Sequence, residues 1–190
     1  GDSLIDAKLP DGNKEIFLGN KNGLAIRFNE QDVRSMGRVS RGVRGMSLAK
    51  DDEVVGMETL SGDATILTIT EHGYGKRTQS SEYKIQGRGG KGIITIKTSE
   101  RNGAVVGIKQ VTNEDNLMMI TSTGKIIRIA VSKLSVIGRN TQGVRLINID
   151  KDEKVVGLQK KKNSSPRIML EKSSSLSNSA LFVLLCANIK

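Results

Sequence analysis

Gln86-Gly87-Arg88-Gly89-Gly90-Lys91-Gly92 runs straight into Ile93-Ile94-Thr95-Ile96, and this stretch decides the fold. Its first seven residues hold four glycines and two cations. Adjacent glycines sit poorly inside a helix or regular strand, and glycine accepts positive φ and close backbone approach where other residues do not. The segment is therefore a shaped loop feeding a β-branched strand. Its cations make it a candidate anion-binding loop.

The same loop occurs twice more. Gly37-Arg38-Val39-Ser40-Arg41-Gly42 precedes Val43, and Gly138-Arg139-Asn140-Thr141-Gln142-Gly143 precedes Val144, at offsets of 50 and 51 residues. Gly23, Gly73 and Gly124 keep that spacing, each in the turn before a basic, β-prone run. Those runs are Leu24-Ala25-Ile26-Arg27-Phe28, Tyr74-Gly75-Lys76-Arg77-Thr78 and Lys125-Ile126-Ile127-Arg128-Ile129. Val54-Val55-Gly56-Met57, Val105-Val106-Gly107-Ile108 and Val155-Val156-Gly157-Leu158 form a third set in the same register.

Short apolar runs broken by Gly, Asn, Asp and Ser turns are an all-β pattern. Leu4-Ile5-Asp6-Ala7-Lys8-Leu9 is predicted as the first strand. In each unit a hairpin leads to a polar connection with room for one helical turn, at 29–33, 79–83 and 131–134. A second hairpin is expected to close on the Val-Val-Gly strand, with its acidic or polar turns as solvent-facing tips. A period near 50 with about four strands per unit predicts propeller-like blades, each unable to bury its apolar face alone. Blades at 6–57, 58–108 and 109–158 form a domain over residues 1–158. Over 159–190 the repeat is lost. Lys160-Lys161-Lys162 and Ser173-Ser174-Ser175 read as linker, and Ile168-Met169-Leu170 and residues 181–185 read as edge strands of an incomplete blade or as a short helix. The array is open, a fragment of a larger wheel, or a ring completed by this tail.

Thirty basic and twenty acidic residues leave a net charge of +10. That charge suits a polyanion, with nucleic acid ahead of an anionic membrane surface. One cysteine, Cys186, and one histidine, His72, exclude an intramolecular disulfide framework, a cysteine zinc cluster and a histidine-rich metal site. No nucleophile–base pair or paired carboxylate is apparent. Gly92 is followed by Ile93, which excludes the P-loop form. Three phenylalanines and no tryptophan argue against a stacking platform for single strands. Tyr74 and Tyr83 are expected in edge packing, and His72 in a surface turn. The N-terminus carries no signal-peptide pattern, and the apolar run at 180–187 is too short to span a bilayer, so a soluble, cytoplasmic chain is expected.

Positive charge in register remains. Arg38, Arg88 and Arg139 share one position in the connecting loops, and Arg27, Arg77 and Arg128 share another. They are expected to project from one edge of successive blades as a curved basic stripe, contacting duplex phosphates with little base reading. Arg41, Arg44, Lys76, Lys97 and Arg145 complete the candidate contacts. The middle unit is expected to grip hardest, since residues 76–101 carry seven basic and two acidic side chains, and its glycines offer backbone N–H groups to phosphate. The competing reading has the repeated arginines making blade-to-blade hydrogen bonds.

The box at 86–92 with Ile93-Ile94-Thr95-Ile96-Lys97 resembles the glycine-rich basic box of the DNA gyrase A C-terminal domain family. Glu71-His72-Gly73-Tyr74-Gly75-Lys76-Arg77-Thr78, Asn102-Gly103-Ala104-Val105-Val106-Gly107 and Ile137-Gly138-Arg139-Asn140-Thr141-Gln142-Gly143-Val144-Arg145 extend the likeness over roughly residues 3–158. The resemblance implies a β-pinwheel, a ring of blades that exchange strands. It implies duplex DNA wrapped with positive handedness around a basic rim and presented for strand passage, so that negative supercoils are introduced. Gln86, Gly87, Arg88, Gly89, Gly90, Lys91 and Gly92 are the implied DNA-binding box, although the family usually has a second basic residue where Gly87 stands. The family wheel usually has about six blades, against three clear units here. The implied partners are the gyrase B subunit, together with the remainder of the gyrase A chain, in an A2B2 enzyme. No cofactor is implied for this chain, while ATP and Mg2+ are implied for the complete enzyme. The isolated domain is expected to be monomeric, nucleoid-associated and not itself catalytic. The related topoisomerase IV domain, which has a degenerate box, and a propeller-like protein scaffold are the rival readings.

Overall fold

The computed structural model describes residues 3–9, 11–37, 40, 42–162 and 183–187. In chain order its strands are β1 (Ser3–Lys8), β2 (Glu15–Asn20), β3 (Leu24–Asn29), β4 (Val54–Leu60), β5 (Thr65–Thr70), β6 (Tyr74–Gln79) and β7 (Ile93–Ile94). Then come β8 (Val105–Val111), β9 (Asp115–Thr121), β10 (Ile126–Ala130), β11 (Val144–Arg145), β12 (Val155–Lys162) and β13 (Val183–Ala187). The polar connections each make one 3-10 turn, Glu30–Asp32, Ser80–Glu82 and Val131–Lys133. Gly23, Gly73 and Gly124 turn the three hairpins at φ of 85°, 75° and 82°, which a residue with a Cβ adopts only under strain.

The short strands in the second and third connecting loops do not form a second hairpin within their own blades. Ile93 pairs instead with Ala25 and Ile94 with Leu24, so that β7 completes the sheet of the preceding blade in the order β4-β2-β3-β7. β11 does the same for the next sheet, in the order β8-β5-β6-β11. Gly92 and Gly143, at φ of 80° and 75°, make this crossing possible. A Cβ on Gly92 would strike the Ala25 carbonyl, and one on Gly143 would lie 2.7 Å from the Gly75 carbonyl oxygen. The third sheet, β12-β9-β10, has three strands, and among the described residues nothing pairs with the free edge of β10. The fold is an open, all-β pinwheel.

Two expectations are corrected. The closing strands run on to Leu60, Val111 and Lys162, so Lys160-Lys161-Lys162 is strand and not linker. β1 belongs to no blade, since it pairs antiparallel with β13, Ser3 opposite Ala187 and Lys8 opposite Val183. The apolar tail is thus a strand where 183–187 is described, while Ile168-Met169-Leu170 and the serine run lie outside the described residues.

The core lies between blades as much as within them. Phe17, Ala25 and Leu60 of the first blade pack with Ile66, Tyr83, Ile96, Val105 and Ile108. Leu67, Ile69 and Val111 of the second pack with Leu117, Met119, Val131, Ile147 and Val155. Ile66 and Leu67 point oppositely, as neighbours in a strand must, so β5 is buried on both faces throughout its length. On the third blade, among the described residues, the pattern stops: Ile120, Ile126 and Val156 are exposed.

Candidate nucleic-acid interface

Two of the three repeated strand arginines, Arg27 and Arg77, fasten one blade to the next. Arg27 donates through Nη1 to the carbonyls of Ser80 at 2.6 Å and Tyr83 at 3.0 Å, and pairs with Glu15 of its own hairpin. One repeat later Arg77 donates to the carbonyls of Val131 at 3.0 Å and Leu134 at 3.3 Å, and to the Thr65 hydroxyl. Only 4 % of Arg77 is exposed. Arg128 keeps the partner in its own hairpin, Asn116, and among the described residues donates to no carbonyl of another blade. Lys76 is also buried, its ammonium donating to the Gly138 carbonyl at 2.7 Å. Burial pushes its pKa down to about 8, with Arg139 adding to the depression and Glu82 opposing it. Arg27, Lys76 and Arg77 therefore leave the set of DNA contacts. The repeat that singled them out serves packing, and a cation enclosed against protein carbonyls does not present its donors to a phosphate outside. Arg128, in the same register, is exposed.

The loop arginines are partly spent in the same way. Arg88 donates from Nε to the Asp32 carbonyl at 3.0 Å and from Nη1 to the Arg44 carbonyl at 2.6 Å. Arg139 donates to the Ile94 carbonyl at 3.1 Å, the corresponding place one repeat on. The Gly89 N–H donates to the Gly45 carbonyl and the Ser47 N–H to the Gly90 carbonyl, so the box lies against the first connecting loop. The Gly89 N–H is thus engaged, contrary to the expectation of a free backbone cradle. Lys97 N–H donates to the Thr141 carbonyl, and Asn102 Nδ2 to the Gln142 carbonyl, tying the second loop to the third. The three loops form one continuous rim. Lys91, Arg44, Lys97 and Arg145 are exposed on it, and Arg88 and Arg139 are half-exposed. Gln86 Nε2 is enclosed in the box without a protein acceptor. Gly87 is exposed with open space around its Cα. Arg38 and Arg41 lie outside the described residues.

A family model described as "DNA gyrase C-terminal domain, beta-propeller" matches residues 14–61, 64–112 and 115–160, one stretch per blade. The chain belongs to this family. The DNA gyrase A protein of Salmonella typhimurium is 51% identical over 160 residues, which are 84% of this chain and 18% of that protein. A solved C-terminal domain of DNA topoisomerase IV superposes with a TM-score of 0.78 at 25% identity, over 83% of this chain and 49% of that one. A solved DNA gyrase A C-terminal domain gives 0.72 at 28% identity, over 78% and 50%. This chain spans about half of either solved domain and less than a fifth of the gyrase A protein it matches.

Within a gyrase-type domain, the connecting loops carry a charge asymmetry that the arginine register alone does not reveal. Loops 34–48, 84–98 and 133–148 hold eleven basic and no acidic residues. Arg34, Lys84 and Lys133, which the register passes over, are exposed in them. Counting acids per loop would have found these three. Arg101 was missed because it lies in a hairpin turn beside Glu100. It contacts Tyr74 and Gln142 and so adjoins the rim. Among the described residues no group of His, Cys, Asp and Glu is placed to hold a metal ion. No described helix is long and apolar enough to cross a membrane.

Proposed function

We propose that this gyrase-family domain bends and wraps duplex DNA along the rim formed by its three connecting loops. One observation carries the reading: loops with eleven cations and no acid are hydrogen-bonded side by side into a single surface. Lone surface cations spread evenly would be a solubility device. An acid-free band continuous across blades is an electrostatic track for a regular polyanion. The contacts are Lys91, Arg44, Lys97 and Arg145 at the surface, with Arg88, Arg139 and the unpaired Gln86 amide beside them, and Arg38 and Arg41 in the same loops. In the whole enzyme the wrapped segment is delivered to the strand-passage core, in the cytoplasm, with the gyrase B protein supplying ATP chemistry. Identity near one half to a gyrase A protein favours this over the topoisomerase IV reading.

The test is ligation of nicked DNA circles in the presence of this chain. A positive shift in linking number is expected from the native chain and a smaller one from Arg88→Ala/Lys91→Ala. No shift with the native chain, at salt low enough for binding, sinks the wrapping reading.

A further inference from the structure

Where the second and third blades meet, two arginines converge on one phenol. Arg145 donates to the Tyr74 hydroxyl oxygen from Nη2 at 2.6 Å and from Nε at 3.2 Å, and Arg101 from Nε at 3.4 Å. Both guanidinium carbons lie 5.1 Å from the centre of the Tyr74 ring. A hydroxyl oxygen has two lone pairs, so three N–H groups aimed at it exceed what it accepts. The outer ends of the two side chains reach only amide oxygens, Gln142 at 3.5 Å and Asn148 at 3.4 Å. Both arginines are exposed, and neither has a carboxylate within ion-pair distance among the described residues. Of the acids nearby, Glu71 meets Lys154 and the Ala104 N–H, Asp150 and Glu153 share Lys125, and Glu100, next to Arg101 in the chain, is exposed and forms no ion pair with either arginine. Two like charges drawn together without a counter-charge repel, and an anion between them removes that repulsion while taking the spare donors in bidentate fashion.

We propose that Arg101, Arg145 and Tyr74 form a phosphate seat at this junction, next to the rim but separate from the box. The ligand chemistry is a phosphate group held by two forked guanidiniums whose orientation the Tyr74 ring and hydroxyl set. The wrapping function makes its source a backbone phosphodiester, and to that extent the seat rests on that reading. A free polyphosphate is the other source. Tyr74 acts by positioning, since its oxygen accepts from the arginines.

The experiment pairs two readouts on the 190-residue chain. The salt dependence of binding to a short duplex is measured for the native chain, Arg101→Ala/Arg145→Ala and Tyr74→Phe. In parallel, the arginine Nε–H NMR signals are followed on adding duplex or pyrophosphate. The double variant is expected to lower the slope of log affinity against log salt by about one to two, with an unchanged melting temperature. Tyr74→Phe is expected to lower it less, and the Arg101 and Arg145 signals to move with duplex. Steep native binding with an unchanged slope in the double variant and unmoved signals overturns the seat and leaves wrapping intact. Absent native duplex binding overturns wrapping. In that case, movement of both signals with pyrophosphate supports the seat with a free polyphosphate as its source, and no movement overturns it.

Discussion

Glycine and lysine carry the residue-scale lesson. Gly56 and Gly107 are required because the next blade packs on them: a Cβ on Gly56 would lie 2.8 Å from the Ile108 side chain, and one on Gly107 would strike Leu158. Gly157, the third copy, faces open space. One sequence signal therefore marks three positions, of which two are contacts and one is a free end. Lys76 shows the reverse, a cation hidden where a strand pattern suggested a surface. Its folded pKa of about 8 lies below the ordinary 10.5. Below pH 8 it is charged in both folded and unfolded chains, and the cost of burying the charge is present in full. Between about 8 and 10.5 only the unfolded chain keeps the proton, so stability rises with pH. Lys76→Met is expected to abolish that rise and to stabilise the fold at neutral pH by up to about 3 kcal/mol, as read from urea unfolding across pH. A rise that persists in the variant would assign it elsewhere.

Elements are joined here by arginine as much as by apolar packing. Arg77 fastens β6 to the 3-10 turn of the third blade through the carbonyls of Val131 and Leu134; its removal would leave Val131 only the Leu134 N–H and strip the Leu134 carbonyl of its donor. Arg77→Ala is therefore expected to destabilise by roughly 3–4 kcal/mol, while Arg128→Ala, exposed and bonded to Asn116 of its own hairpin, changes stability by less than about 0.5 kcal/mol. Thermal unfolding of the two variants decides this, and equal losses would refute the fastening role. The hairpin turns also differ from expectation. Asp52, Asn102 and Glu153 stand at equivalent positions in what were expected to be solvent-facing tips, yet all three are buried. Asp52 accepts from Asn20 and the Asn22 N–H, Asn102 from the Ser99 N–H, and Glu153 from Thr123 and Lys125. Polar turn residues were legible in the sequence. Their burial was not, because a side chain that satisfies backbone donors has the same composition as one that faces water.

For the whole molecule, charge and stability divide by loop. Lys91 is exposed on the rim and has no acceptor among the described residues, whereas Arg88 straps two loops together. Lys91→Ala is expected to leave the melting temperature unchanged and to reduce the salt slope of duplex binding by about one. Arg88→Ala is expected to lower both. If Lys91→Ala leaves the slope untouched, the track runs elsewhere on the rim. Among the described residues, the unpaired edge of β10 and the exposed Ile120, Ile126 and Val156 mark the side on which the array is open.

The sequence by itself determined the all-β class, the repeat and its period, a single helical turn in each polar connection and the acid-free basic loops, because each is written locally as glycine spacing, β-branching, polarity and charge. Tertiary structure alone decided which blade each short strand completes, since Gly92-Ile93-Ile94 reads the same whether it pairs within its own unit or with Leu24 and Ala25. It also decided which arginines remain for a ligand. Arg27 and Arg77 look like Arg145 along the chain. Only the carbonyls that the next blade brings within 3.3 Å spend the first two, and the absence of any carboxylate leaves the third, among the described residues, charged and exposed.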